Sequence, residues 1–181
     1  MKARRQFLLN ASATAIGFAG LRSFSAFADK KDSQAITGYG DLQSDPEDVI
    51  DLPKGFSYKI IGKAGEKMDD GLNLPGAPDG MATFKGPDGL TLLVRNHEMN
   101  AGSGAKGGAF GSGNKNLTGD LRKRMYDPGK AAPSLGGTST VVYDTKKQKV
   151  VRQFLSLAGT IRNCAGGPTP WDSWVTCEET V

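Results

Sequence analysis

The turn Lys85-Gly86-Pro87-Asp88-Gly89 constrains this chain more than any other segment. Proline fixes one backbone φ and glycine supplies a positive one, so five residues force a tight reversal. Runs of apolar and β-branched residues flank it, at 81–84 and 90–95. A reversal between two such runs predicts an antiparallel hairpin. The construction recurs. Residues 138–143 and 150–157 flank Asp144-Thr145-Lys146-Lys147, and residues 163–179 read as a third hairpin with 174–178 as its second arm. Hairpins at this spacing predict an all-β fold, either a β-propeller whose first blades these residues form or a sandwich. The repeat is inexact, so periodicity alone does not choose between them.

The segments between hairpins carry their own expectations. Alternation at 57–61 predicts a short strand. Residues 69–80, punctuated by Pro75, Gly76, Pro78 and Gly80, read as a loop. Seven of the 19 residues in 101–119 are glycine. Ordering such a stretch costs the most backbone entropy, so a surface loop is expected there. Residues 120–126 are expected to form one or two helical turns.

The N-terminus reads as an export signal. Arg4-Arg5-Gln6-Phe7-Leu8 is a twin-arginine core in a basic region, a mildly apolar stretch follows to Leu21, and Ala26-Phe27-Ala28 fits a small-x-small cleavage site. An ordinary secretory signal is the alternative. The apolar stretch is shorter than the roughly 20 residues a bilayer span needs, so no stable membrane span is expected. The organisation expected is a twin-arginine signal peptide at 1–28, a polar linker or N-terminal arm at 29–48, and one domain at 49–181. The twin-arginine machinery would be the export partner, with a periplasmic or secreted destination and a monomeric product. The chain stops at Glu178-Glu179-Thr180-Val181, directly after a predicted strand, which reads as a fragment of a longer protein.

Charge excludes one class of partner. The chain has 23 basic and 19 acidic side chains. Residues 1–28 hold four of the basic ones and no acid, which leaves the remainder neutral. Nucleic-acid binding needs a net basic face, so no nucleic-acid partner is expected.

Three groups of residues could carry chemistry. Asn96-His97-Glu98 sets an amide, an imidazole and a carboxylate at the end of an apolar strand. Amide and carboxylate oxygens suit hard cations such as Ca²⁺, and imidazole suits transition metals or proton transfer. The bland reading is a strand-end turn with solvated polar groups. Asp79 sits in a glycine turn, where aspartate also serves as a local cap. Cys164 and Cys177 flank two tryptophans. In an exported protein an even pair is a disulfide candidate, whereas a thiolate among oxygens suits iron; the residues leave both open. Strand alternation turns Cys177 and Glu178 to opposite faces, which favours Cys177 as a packed, inert thiol. Adjacent Glu178 and Glu179 likewise diverge, so one carboxylate reaches any shared site. Trp171 and Trp174 read as packing residues.

Together these segments resemble the PhoX-type alkaline phosphatases. The residues that carry the resemblance are the twin-arginine leader, Asp51-Leu52-Pro53-Lys54-Gly55-Phe56, Asp79-Gly80-Met81, Arg95-Asn96-His97-Glu98, Gly137-Thr138-Ser139-Thr140, Gly159-Thr160 and, above all, Asn163 onward to Glu179. Asp172 departs from the glycine often found between the tryptophans. The resemblance implies a β-propeller that hydrolyses phosphate monoesters with an iron–calcium cluster. It implies Cys164 as the iron ligand, Cys164 and Glu98 as the catalytic residues, Glu98 and Glu178 as motif carboxylates that bind metal, Asn96 and Asn163 as amide ligands, and Asp79 as a further ligand. Arg162 is the candidate for holding the substrate phosphate. These 181 residues alone are expected to be inactive. Two other readings stand beside it, a non-catalytic exported calcium-binding propeller and a propeller hydrolase of another class, such as a lactonase or phosphotriesterase.

Overall fold

A computed structural model describes residues 38–102, 108–130 and 132–179. The leader at 1–28, residues 29–37 of the polar arm and part of the glycine-rich stretch lie outside the described residues. The chain divides into two compact units, one up to Lys59 and one from Ile60 onward.

In the first unit, β1 (Leu42–Gln43) pairs antiparallel with β2 (Leu52–Pro53). The Asp45 carboxylate organises the connection. It accepts from the backbone N–H groups of Glu47, Val49 and Ile50 and from the Tyr58 hydroxyl at 2.7 Å. The Tyr58 bond leads in pulling Asp45 down to about 2, and the same bond pushes Tyr58 up to about 12. Phe56 meets Tyr39 edge to face, with ring centroids 5.2 Å apart. The strand expected at 57–61 does not form. β-propensity there finds no partner strand, and Tyr58 is committed to Asp45 instead.

The second unit is built on a four-stranded antiparallel meander. Its strands are β3 (Pro78–Lys85), β4 (Thr91–His97), β5 (Gly136–Asp144) and β6 (Lys149–Thr160), paired in sequence order. A further hairpin, β7 (Asn163–Pro168) with β8 (Trp174–Glu178), follows, and β7 packs against β3 and β4. The fold is thus mostly β, made of antiparallel hairpins. The one α-helix described, α1 (Gly119–Lys123), starts at Thr118, whose side chain accepts from Leu121 N–H.

The turn at 85–89 joins β3 to β4 with two positive-φ residues rather than one, Asp88 at 54° and Gly89 at 77°. Aspartate tolerates this left-handed conformation better than most residues. Strand β3 starts earlier than expected. Residues 78–80 belong to it, with a bulge between Pro78 and Met81, because Pro78 pairs opposite His97.

The core gathers Met68, Leu72, Leu74, Met99, Ala109, Phe110, Met125 and Leu135. The glycine-rich stretch was expected on the surface, yet Phe110 within it is only 2% exposed. Gly111, at φ 74°, turns the chain inward, and burying one phenylalanine contributes about 2 kcal/mol against the ordering cost. The outer edge of β6 is covered by loops. Asp69 and Asp70 accept from the N–H groups of Gln153 and Leu155, both at 2.7 Å. Tyr126 and Asp127 N–H donate to the Ala158 and Gly159 carbonyls.

Candidate active site where β3, β4 and β7 meet

Close backbone approach makes the site. A Cβ at Gly80 would stand 2.5 Å from the Cys164 carbonyl oxygen, so only glycine lets β3 lie this close to β7. That contact places Asp79 near the Cys164 thiol.

Two buried amides then lock the strands together. Asn96 is fully buried. Its Nδ2 donates to the Cys164 and Ala165 carbonyls, both at 3.0 Å. Its Oδ1 accepts from Trp174 Nε1 at 2.9 Å and Thr176 Oγ1 at 2.8 Å. Asn163, equally buried, bonds both the N–H and the carbonyl of Gly137, and its Oδ1 also accepts from Thr160 Oγ1 at 2.9 Å. The acceptor oxygen of each amide therefore already takes two hydrogen bonds. Both amides sit where they join β4 and β5 to the β7–β8 hairpin.

Arg162 is the centre of charge. It turns the chain between β6 and β7 at φ 49°. Its N–H donates to the Met99 carbonyl and its own carbonyl accepts from Glu179 N–H, each at 3.0 Å. Its guanidinium donates from Nε at 3.1 Å and Nη2 at 2.8 Å to Glu98 Oε1, and Nη2 lies 3.5 Å from Glu179 Oε2. The bond to Glu98 is the main reason the arginine is held even more firmly protonated than usual. The half-buried Cys164 thiol lies beside this group. Desolvation pushes its pKa up most, with Glu179 and Asp79 adding to the rise.

The two adjacent glutamates part company. Glu178 Oε1 accepts from the Ile161 N–H at 2.7 Å, whereas Glu179 turns toward Arg162 and Cys164. Sequence reasoning placed Glu178 in the site set and left Glu179 out of it. The signal was their divergence along the strand, which required one of the two to reach the cluster.

Cys164 and Cys177 are both free thiols. Cys177 is exposed rather than packed as expected. Alternation along β8 explains this, because Thr176 points inward to Asn96 and Asn163 and so turns Cys177 out. Trp171, expected to pack, is 76% exposed at the hairpin tip. There Asp172, at φ 60°, completes the reversal between the two strands.

Behind the cluster lies a buried relay that sequence reasoning missed. His97 is 1% exposed, so the solvated strand-end reading fails for it. Its Nδ1 lies 2.9 Å from the Gly76 carbonyl, which fixes the proton on Nδ1. Nε2 then accepts from Ser139 Oγ at 2.8 Å, and that oxygen accepts from Arg95 Nε at 3.1 Å. Desolvation holds His97 down at about 4. The relay pins the end of β4 to the loop before β3, next to Glu98 and Asp79.

The donor types of the cluster, one thiol and three carboxylates, suit a mixed soft and hard metal site. Their arrangement does not. Among the described residues no group of three His, Cys, Asp or Glu side chains could hold a metal ion. Glu98 and Glu179 are turned to Arg162, and the two amide oxygens are occupied.

A family model described as alkaline phosphatase PhoX matches residues 37–152 and 130–181. The match covers most of the chain, which places it in a family of phosphatases. It is a member of the PhoX alkaline phosphatase family. No curated protein and no solved structure matches it. No helix among the described residues is long and apolar enough to cross a membrane.

Proposed function

We propose that this protein serves the hydrolysis of phosphate monoesters outside the cytoplasm, after twin-arginine export, and that its hairpins are blades of a β-propeller. The family match across residues 37–181 carries this reading. The meander β3–β6 supports it, since four antiparallel strands in sequence order are the form of one blade. We assign the centre to Cys164, Asp79 and Glu98, with Glu178, Asn96 and Asn163 as further members that now hold the frame. Arg162 is the group to which a phosphate would bind. The domain spans 49–181, preceded by the signal at 1–28 and the arm at 29–48.

Electrostatics supports a metal-dependent reaction. A phosphate monoester is a dianion, and negative charge builds further as the ester bond breaks. Here it would meet three carboxylates, Asp79, Glu98 and Glu179, and one guanidinium already shared with two of them. Added cations are needed before such a site attracts phosphate. Iron and calcium are the proposed ions, iron for the Cys164 sulfur and calcium for the carboxylate oxygens. Within the chain's own chemistry, Glu98 aims the Arg162 guanidinium and Arg162 offers charged N–H donors to the phosphate oxygens.

Because the described residues assemble no three-ligand metal group, residues 1–181 by themselves are proposed to be inactive. The test compares these 181 residues with the product of the uninterrupted reading frame, each loaded with iron and Ca²⁺ and assayed on an aryl phosphate. The expected result is no turnover by the first and chelator-sensitive turnover by the second. Turnover by the first would overturn the inactivity. A second product that spares monoesters but opens lactones or phosphotriesters would overturn the phosphatase reading.

A further inference from the structure

The cover over the outer edge of β6 has a gap. Asp69 and Asp70 take the N–H groups of Gln153 and Leu155, and Tyr126 and Asp127 donate to the carbonyls of Ala158 and Gly159. Residues 156 and 157 lie between these two covers. Ser156 is the extra residue of a bulge there, since Leu155 and Leu157 pair with the adjacent Ser139 and Thr138. The loop at 69–72 and helix α1 reach this stretch from separate parts of the chain. A cavity of about 460 Å³ opens between them, within the second unit and lined by none of the residues around Arg162. That volume falls in the range of small-molecule sites.

Floor and mouth differ in kind. Leu72, Phe110 and Met125 are buried core residues, and Leu121, Leu155 and Leu157 continue the apolar wall. Two exposed arginines, Arg124 and Arg152, also line the cavity. Of the three consecutive cations at the end of α1, Arg122 donates to the Gly129 carbonyl and Lys123 pairs with Asp120. The Arg124 side chain has no such partner among the described residues. Arg152 is held over the Phe154 ring, 5.2 Å from its centroid, which orients the guanidinium without supplying a counter-charge. Asp70, the acid in the lining, has each oxygen on a backbone donor, Oδ1 on Leu72 N–H at 3.0 Å and Oδ2 on Leu155 N–H at 2.7 Å.

We propose that this cavity binds an amphipathic anion, with an apolar chain on the floor and a carboxylate or phosphate head at Arg124 and Arg152. Each half selects against a simpler ligand. An inorganic anion would leave the apolar floor wet, and a neutral apolar molecule would leave both guanidiniums without a partner. A guanidinium fork fits carboxylate and phosphate oxygens alike, and the unbranched Met125 lets the floor adapt to the chain. The site is independent of the Arg162 cluster and of the phosphatase reading.

The test is calorimetric titration of these 181 residues, in chelator and at low salt, with octanoate, octyl phosphate, octanol and inorganic phosphate. Both amphipathic anions should bind, and octanol and inorganic phosphate should bind at least tenfold more weakly. The tighter of the two anions identifies the head group. Hexanoate, shorter by two methylenes, should bind about tenfold more weakly than octanoate. Arg124→Gln and Arg152→Gln should each weaken octanoate about fivefold, and together about twentyfold, with octanol unaffected. Leu121→Trp, which fills the cavity, should abolish binding. Circular dichroism checks that each variant keeps the sheet.

Other results overturn the inference. Octanol binding as tightly as octanoate, or octanoate binding unchanged in the double arginine variant, would show that the arginines hold no anion. Inorganic phosphate binding as tightly as octyl phosphate would show that the floor takes no chain. Full binding by a folded Leu121→Trp variant would put the ligand elsewhere, and no binding by either anion would mean that the cavity takes no such molecule.

Discussion

Replacing Asn96 by Asp separates two roles that the same residue could play. The change is nearly isosteric. It keeps the oxygen that accepts from Trp174 and Thr176 and replaces the Nδ2 donor with a second oxygen. That oxygen would face the Cys164 and Ala165 carbonyls, 3.0 Å away from the present donor. Protonating the new carboxyl is the cheaper escape. It restores one of the two bonds and leaves one buried carbonyl unpaired, at about 1–3 kcal/mol. Holding a carboxyl protonated at pH 7 costs a further 4 kcal/mol or so, from about 1.4 kcal/mol for each unit above its usual pKa. The total, roughly 5–7 kcal/mol, is comparable with the whole stability of many domains. Urea unfolding in chelator, followed by tryptophan fluorescence, measures it, with Trp174 bonded to the altered side chain as a local reporter. The gap from wild type should narrow toward pH 4, where protonation becomes cheap. A ligand role through Oδ1 predicts the opposite, an Asp variant of normal stability that binds Ca²⁺ more tightly. Stability within about 1 kcal/mol of wild type at pH 7 would refute the structural argument, given that losing even one buried bond partner costs that much.

Other outcomes follow from the same geometry. His97 is held at about 4 when folded against 6.5 when unfolded, so the unfolded chain takes up the proton first. Its contribution, about 3 kcal/mol, is complete above pH 6.5 and is lost as the pH falls toward 4; urea midpoints from pH 7.5 to 4.5 should show the loss, and His97→Gln should flatten it. Gly80→Ala forces β3 away from the Cys164 carbonyl and should cost about 1–3 kcal/mol by thermal unfolding, whereas Gly55→Ala, which meets nothing within 4 Å, should cost mainly the strain of its positive φ. Iodoacetamide at pH 8 should label exposed Cys177 well before Cys164, whose thiol desolvation holds protonated, as peptide mapping would show. Equal labelling of the two would contradict the burial and charge around Cys164.

Local chemistry made the hairpins legible. The Pro87–Gly89 turn and the Asp144 turn, where the carboxylate accepts from Lys147 N–H, both act within a few residues, so the sequence shows them directly. The strand expected at 57–61 failed because pairing is decided by a partner far away in the chain. The burial of Phe110 was hidden for a related reason, since glycine content signals flexibility whether the backbone ends outside or inside. At the site, the resemblance named Cys164, Asp79, Glu98 and Arg162, and the fold brings Glu98 and Glu179 to Arg162 beside Cys164. Occupancy was not legible. Nothing local shows that the Asn96 and Asn163 oxygens are spoken for by Trp174, Thr176, Gly137 and Thr160, or that Glu179 rather than Glu178 turns to the arginine.

The loop over the outer edge of β6 bears on how this protein tolerates mutation. Two aspartates take the place of a neighbouring strand there, and each satisfies a different backbone N–H. Such a cover is economical in residues but fragile, because two side chains and a few isolated backbone bonds stand in for a ladder. Loss of either carboxylate would free one N–H on a long strand rich in Val, Phe and Leu and loosen the cover over an edge of the kind that recruits other chains. Inherited or engineered changes at Asp69 or Asp70 should thus appear first as aggregation during expression, with the cluster around Arg162 left intact.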